Sequence, residues 1–526
     1  MTARDIASLA ALQDSSPEEP LERELVVGKD LLQLFTTGMY VEPLTLFREY
    51  IQNAADAIDD AVATGILSDR SAGRIEIDID PGAREVRIRD NGTGIPREEA
   101  VRRLTSFGSS EKRGTSARGF RGIGRLAGIG TSQAVTFRTK AQGETNGIAV
   151  RWDHRKIREL VNDATFNGTL SELVQSVVDV SVLGAEPADE HYFEVRLEKV
   201  GRTRGDVLLD EFAVGRYLSQ VAPVPLSSAF TFTEEISAHL RPHLPFGHFD
   251  IRVNASEPLT RPFTDEVRIS HTKTDRITGW EPIEVRDAER GVVAVGWVLH
   301  HGYIGAISEQ REIRGLRARI GDLQVGGDAI FASVFPESRF NSWVIGELHI
   351  FDSRIAPNGR RDDFESNPAS QSLANQLTPW VRRLTQLTRE SSMRRARAKK
   401  LSALETQVLE SLTTVEQGLL GPAGATVLRA KIESSLAEME KAATAELFDD
   451  AARESLREKL DLLRHRVQAS SQLDPSRLSG IPPERRDAYE LVLQLVYETV
   501  GSPAAGRALV AQVLQKLETL HQSSDD

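Results

Sequence analysis

Cysteine is absent from the 526 residues, which excludes disulfides, thiol nucleophiles and thiolate zinc sites. That absence suits a reducing compartment, so a cytoplasmic location is the expectation. No apolar run approaches the roughly 18–20 residues that a membrane span needs, and no membrane contact is expected. Residues 1–20, MTARDIASLAALQDSSPEEP, lack a basic stretch followed by an apolar one and do not read as a secretion signal. The phosphate-loop pattern GxxxxGK[ST] occurs nowhere in the chain. No repeat of solenoid period is present either. Positive charge is not in excess: a net charge of -12 and a pI near 5.6 argue against a protein that coats nucleic acid, though not against a local basic groove.

What is present is ordinary globular composition, 40% apolar and 27% charged, in a chain too long for one core. The most informative stretch is FREYIQNAADAIDD, from Phe47 to Asp60. It carries Glu49, Asn53 and Asp56 at i, i+4 and i+7, an arc of roughly 60° on a helix. Leu44, Phe47, Ile51, Ala55 and Ile58 form an apolar stripe almost opposite. Taken alone, such a polar row is what any solvated helix face carries.

Two further motifs follow. Ile75, Ile77 and Ile79 alternate, Pro81-Gly82 turns the chain, and Val86 and Ile88 alternate again, which predicts a β-hairpin with one buried face. Its second strand runs into Asp90-Asn91-Gly92-Thr93-Gly94. An aspartate followed by alternating glycines suits close backbone approach to a flat ligand, with the carboxylate accepting from an exocyclic amine. It reads equally as a plain Asp-Asn-Gly turn. Residues 107–130 are rich in Gly, Ser, Arg and Lys, and predict a loop entering a helix near Gly124. Gly119-Phe120-Arg121-Gly122-Ile123-Gly124 would leave unpaired N–H groups for phosphate, or be a surface loop.

Glu49-x3-Asn53-x2-Asp56-Ala57, then Asp90-x-Gly92-x-Gly94, then Gly122-x-Gly124 is a constellation in fixed order. In that order it resembles the GHKL ATPase superfamily: gyrase B subunits, heat-shock-90 chaperones, histidine kinases and MutL-type proteins. Within it the sequence is most similar to heat-shock-90-type chaperones, whose strand, helix, break and helix the span Val26–Asp60 matches. The likeness covers about the first 200 residues.

The resemblance implies an α/β fold, specifically an α+β two-layer sandwich of the Bergerat type, binding ATP or ADP with Mg²⁺. Asn53 would hold the Mg²⁺ and Asp90 the adenine amine, in a pocket shaped by Gly92 and Gly94. Gly119, Gly122 and Gly124 would meet the phosphates, and residues about 105–121 would form a lid. Asp56 would help hold the site together, and Glu49 would polarise the attacking water. Histidine kinases generally lack that base, so Glu49 favours an ATPase. The family's Gly-Thr pair on a late strand is missing from His191–Leu197, which implies a rebuilt adenine pocket.

Further along, strands at 249–253, 292–299 and 344–351 amid helical patterns predict a second α/β domain. Its segment Phe351–Asp362 resembles the chaperone middle-domain loop that sends an arginine to the γ-phosphate, here Arg361 or Arg360. The rival reading is an exposed basic turn paired with Asp362 and Asp363. Beyond Asn367-Pro368, leucine and valine at helical spacing predict an all-α region of several helices, the last near 486–520.

The expected division is 1–24 lead-in, 25–205 ATP-binding domain, 206–366 middle domain and 367–526 helical region. The expected function is a slow, chaperone-like ATPase working by lid closure and homodimer clamping on protein clients. A DNA-associated clamp of the MutL or microrchidia kind is the alternative, and an inactive nucleotide-sensing scaffold a third. The leucine pattern around 401–419 suits either a dimer contact or the chain's own core. The basic run Arg394–Lys400 reads chiefly as a solvated face, with a nucleic-acid or acidic-partner contact as its rival. His243 and the His300-His301 pair show no acidic or histidine partner at ligand spacing, so no metal site is expected there.

Overall fold

The computed structural model describes residues 42–106, 128, 130–163, 165–166, 168–202, 204–244, 249–287, 289–443, 450–471, 478 and 481–522. The expected lead-in, the strand and helix before Glu42, nearly all of the lid and Gly119, Gly122 and Gly124 lie outside these residues. The chain divides into two compact units, Met1–His301 with Ile307–Thr378, and Gly302–Ala306 with Pro379–Asp526.

The first unit opens with helix α1 (Thr45–Ala63). Its apolar stripe is fully engaged: Phe47, Ile51, Ala55 and Ile58 are all 0% exposed. The hairpin forms as its alternation requires, from β1 (Arg74–Asp80) and β2 (Glu85–Asp90), with Ile77 opposite Ile88. Asp80 Oδ1 accepts from Ala83 N at 2.9 Å, and Arg84 takes φ 57° to close the turn.

After α2 (Arg97–Thr105), strands β3 (Ala134–Lys140) and β4 (Asn146–Asp153) follow, then α3 (His154–Asn162) and α4 (Leu170–Val177). Asp153 caps α3, and a Thr169/Glu172 capping box starts α4. β5 (Val178–Ala185) and β6 (Tyr192–Glu198) come next. Helices α5 (Glu211–Val221) and α6 (Thr233–Leu240) precede β7 (Asp250–Val253).

These seven strands form one sheet in the order β5-β4-β3-β6-β2-β1-β7. The last pairing is parallel, Ile75 with Ile251. The strand expected in the second α/β segment at 249–253 is therefore an edge of the first sheet. The expected boundary at 205/206 falls inside the first compact unit. Backbone pairing across some 175 residues of sequence separation leaves no local pattern by which to find it.

A second, six-stranded sheet has the order β12-β11-β13-β10-β9-β8. Its strands are β8 (Glu266–Ser270), β9 (Lys273–Asp287), β10 (Gly291–His301), β11 (Gly315–Ile320), β12 (Leu323–Val325) and β13 (Ile345–Ile350). Against it lies a fully buried ion network. Arg261 pairs with Asp322 and, through Nη1 at 2.5 Å, with Glu347, while Arg319 Nε meets Glu347 Oε1 at 2.7 Å. The two arginines hold the Glu347 carboxyl down to about 2 against the opposing effect of its own burial.

His300 and His301, which show no acidic partner at ligand spacing along the chain, each meet one in space. His300 Nε2 lies 3.1 Å from Glu281, and His301 Nδ1 2.8 Å from Asp275. The β9–β10 pairing creates both contacts, which spacing along the chain does not reveal.

Helix α7 (Pro368–Glu416) begins in the first unit and continues into the second as a single helix of 49 residues, with Pro379 inside it. The second unit adds α8 (Gly421–Ala443), α9 (Asp450–Ser471), α10 (Pro483–Thr499) and α11 (Pro503–Gln522). The single helix expected at 486–520 is thus two, broken at Gly501-Ser502, with Pro503 starting the second. Leu401, Val408, Leu412, Val415 and Leu419 are buried among this chain's own helices, which favours the core reading of that stripe. In the basic run, Lys400 pairs with Glu438, and Arg395 donates to Ser391 Oγ at 2.7 Å.

Candidate functional site

Helix α1 is buried nearly all round, so its polar row is not a solvated face. Glu49 is 7% exposed and Asp56 3%, with Asn53 half-buried between them. Burying two carboxylates is costly unless partners meet them. For Glu49 the partner is distant in sequence: Arg361 Nε lies 3.1 Å from Glu49 Oε1, with Arg48 Nη2 at 3.9 Å.

Arg361 comes from the loop after β13, and its backbone is held as tightly as its side chain. Arg361 N donates to Asn358 O at 3.1 Å, Gly326 N donates to Arg361 O at 2.8 Å, and Arg361 takes φ 57°. Arg48 closes the contact from the other side, with Nη2 donating to Arg360 O at 3.3 Å and Nη1 to Arg361 O at 3.5 Å. Of the two arginines singled out by sequence, Arg361 brings its guanidinium to Glu49, whereas Arg360 contributes a carbonyl. The rival reading of an exposed basic turn does not describe Arg361, whose side chain is 16% exposed. Asp362 is engaged elsewhere, accepting from Asn358 Nδ2 at 2.7 Å.

The hairpin end is brought onto the same helix. Thr93 N donates to Ala57 O at 3.2 Å. A Cβ on Gly92 would lie 2.6 Å from the Ala57 Cβ, so only glycine lets the chain pass there. Asp90, 4% exposed, folds back so that its Oδ1 accepts from Gly92 N at 2.9 Å. Gly94 has φ +64°, and a Cβ would stand 2.1 Å from Lys140 O, so this position demands glycine on both grounds.

Four participants carry no sequence signal. His191 Nδ1 is 2.7 Å from Gly92 O and fixes the turn from the residue just before β6. Thr139, 0% exposed on β3, accepts from Ile95 N at 2.7 Å and donates to Tyr192 O at 3.2 Å. A threonine thus sits beside the strand that lacks the family's own, its hydroxyl engaged with backbone behind Gly94. Tyr50 OH accepts from Gly128 N at 3.0 Å, where the chain leaves its glycine-rich stretch. Arg48 is the fourth. Each owes its place to pairing between strands or to contacts far apart in the chain.

Among the described residues no group of three or more acidic or histidine side chains is suited to hold a metal. A cation at this site would therefore draw most of its ligands from a phosphate-bearing molecule and from water. The Asn53 amide oxygen, flanked by Glu49 and Asp56, is the kind of donor that a hard divalent ion accepts under those terms.

Comparison with known proteins bears on the same region. Residues 46–179 match the family described as "Histidine kinase-, DNA gyrase B-, and HSP90-like ATPase". Chaperone protein HtpG of Cupriavidus metallidurans is 30% identical over 167 residues, 28% of this chain and 26% of that protein. HtpG of Cupriavidus taiwanensis is 29% identical over the same length, and that of Burkholderia lata 26% identical over 189 residues, 33% of this chain and 29% of the relative. The chain thus spans little more than a quarter of the length of the curated relatives it matches.

Proposed function

Since residues 46–179 place this chain in the GHKL ATPase superfamily, beside heat-shock-90-type chaperones, we propose that it binds ATP with Mg²⁺ and hydrolyses it slowly as a chaperone-like machine. Glu49 is the base that polarises water, and Asn53 is the protein ligand of the ion. Asp90 receives the adenine amine. Asp56 supports the row, and Gly92 and Gly94 admit the base. Arg361 neutralises the terminal phosphate. Gly119, Gly122 and Gly124 complete the phosphate contacts from the segment between α2 and β3.

The observation that supports this best is the 3.1 Å contact between Glu49 and Arg361. Two residues singled out from separate motifs, one for water and one for phosphate, meet at a single point. Phosphoryl transfer needs chiefly positioning and charge neutralisation, which is what a carboxylate and a guanidinium side by side supply. The Mg²⁺, when bound, offsets phosphate charge. The protein's own groups orient the water and hold the base. Homodimer formation and protein clients belong to this reading as well.

ATP turnover and ATP binding measured on wild type, Glu49→Ala and Asp90→Asn test it. Glu49→Ala is expected to bind ATP and lose ~10²–10⁴ in rate, and Asp90→Asn to fail in binding. Equal turnover in all three would remove the assignment.

A further inference from the structure

A concave site in the first unit has Arg48, Arg360 and Arg361, but not Glu49, in its wall. Its volume is about 720 Å³, which falls in the range of small-ligand pockets. Six arginines line it: Arg48, Arg216, Arg311, Arg317, Arg360 and Arg361. None of the residues assigned to adenine, phosphate or metal above, apart from the arginine loop, is in its wall.

The charges in this wall are poorly balanced. Four acids also line it, Glu42, Glu312, Asp328 and Asp362, against the six arginines. Two of them are engaged elsewhere. Asp328 Oδ2 accepts from Arg314 Nε at 2.6 Å, and Asp362 from Asn358. Arg317 is 3% exposed, yet among the described residues no carboxylate lies within ion-pair distance of it. Its Nη1 donates to the neutral Gln324 Oε1 at 3.0 Å, its Nη2 to the Arg311 carbonyl, and its Nε to nothing described. Burial pushes its guanidinium down to about 10, against the opposing attraction of Asp328, Glu347 and Glu312. Arg48, 6% exposed, donates to two backbone carbonyls, has its Nε unsatisfied, and lies 3.9 Å from the Glu49 carboxylate that Arg361 already holds.

A buried cation held only by neutral acceptors is costly. Arg317, so held and facing a cavity with five further arginines in its wall, makes a site whose missing component is an anion. Guanidinium forks match phosphate oxygens in bidentate geometry, and several arginines around one cavity suit more than one phosphate. We propose that this cavity binds a small molecule carrying a diphosphate, held by Arg317 and Arg48 from its floor and by Arg216 and Arg311 at its mouth. The diphosphate comes either from a free pyrophosphate-like ligand or from the tail of a nucleotide. The proposal stands apart from the ATPase reading, because binding here requires neither Asp90 nor Asn53.

The test is calorimetric titration of pyrophosphate, and separately of ADP, into full-length Asp90→Asn protein without nucleotide. Saturable binding of pyrophosphate at one site per chain is expected. Binding of ADP as tight or tighter identifies the nucleotide tail as the source, and binding of pyrophosphate alone a free ligand. Adding Arg216→Glu with Arg311→Glu, both on exposed positions, is expected to weaken binding at least tenfold. Arg317→Met is expected to abolish it in protein whose thermal midpoint and circular dichroism show that it has folded. No saturable heat with either compound, or binding that the Arg216/Arg311 pair of substitutions leaves unchanged, would overturn the proposal.

Discussion

Replacing Arg361 by methionine removes what is, among the described residues, the only guanidinium within 3.5 Å of the buried Glu49 carboxylate, while keeping most of the side chain's apolar length. The Coulomb attraction at 3.1 Å is about 5 kcal/mol at an effective dielectric constant near 20, an upper limit before desolvation. A charge-assisted hydrogen bond in a mostly buried pair leaves a net ~1.5–3 kcal/mol. A double-mutant cycle isolates it: wild type, Glu49→Gln, Arg361→Met and the double variant, unfolded by denaturant without nucleotide. The double variant is expected to lose about 2 kcal/mol less than the sum of the singles, because removing either partner alone strands the other. The same four proteins assayed for ATP turnover are expected to show non-additive losses, since the two groups act as a unit. Additivity within ~0.5 kcal/mol in stability would refute the claim that this contact is formed and energetically coupled.

Gly94→Ala drives a Cβ to 2.1 Å from Lys140 O at a φ of +64°, and is expected to cost over ~2 kcal/mol and abolish ATP binding. Gly65→Ala, at φ +75° but in open space, is expected to cost only ~1 kcal/mol and to leave binding intact, as thermal melts with and without ATP would show. Burial holds His154 neutral, its pKa lowered to about 4, with Nδ1 donating to Ser132 O at 2.8 Å. Below the unfolded value of 6.5 the unfolded chain takes up a proton that the folded chain refuses, so stability falls as pH drops from 6.5 towards 4. His154→Gln is expected to flatten that decline by up to ~1.4 kcal/mol per pH unit, read from denaturation midpoints between pH 4.5 and 7. Glu347→Gln leaves Arg261 and Arg319 buried with less opposing charge and is expected to destabilise by ~3–5 kcal/mol in the same measurement.

Local periodicity made much of the first unit legible. The two faces of α1 and the alternation of β1 and β2 are set by neighbours within a few residues, so the sequence determined the helix, the hairpin and the order of Glu49, Asn53, Asp56, Asp90, Gly92 and Gly94. The glycine requirement at 92 and 94 was readable as a pattern. Its cause, the approach of Ala57 and of Lys140 O, was not.

Tertiary structure alone decided what the polar row of α1 faces and which arginine reaches it. The contact between Glu49 and Arg361 joins positions 312 residues apart, and the bonds from Arg48 to the same loop span 312 and 313. Strand 250–253 joined the first sheet, His300 and His301 found carboxylates across a hairpin, and Thr139 and His191 took up places behind the glycine turn, all through pairing that leaves no mark in nearby sequence. The physical division is one of range. Helical and strand periods arise from backbone geometry within a turn or two, whereas buried charges are settled only once distant segments have excluded water and become each other's partners.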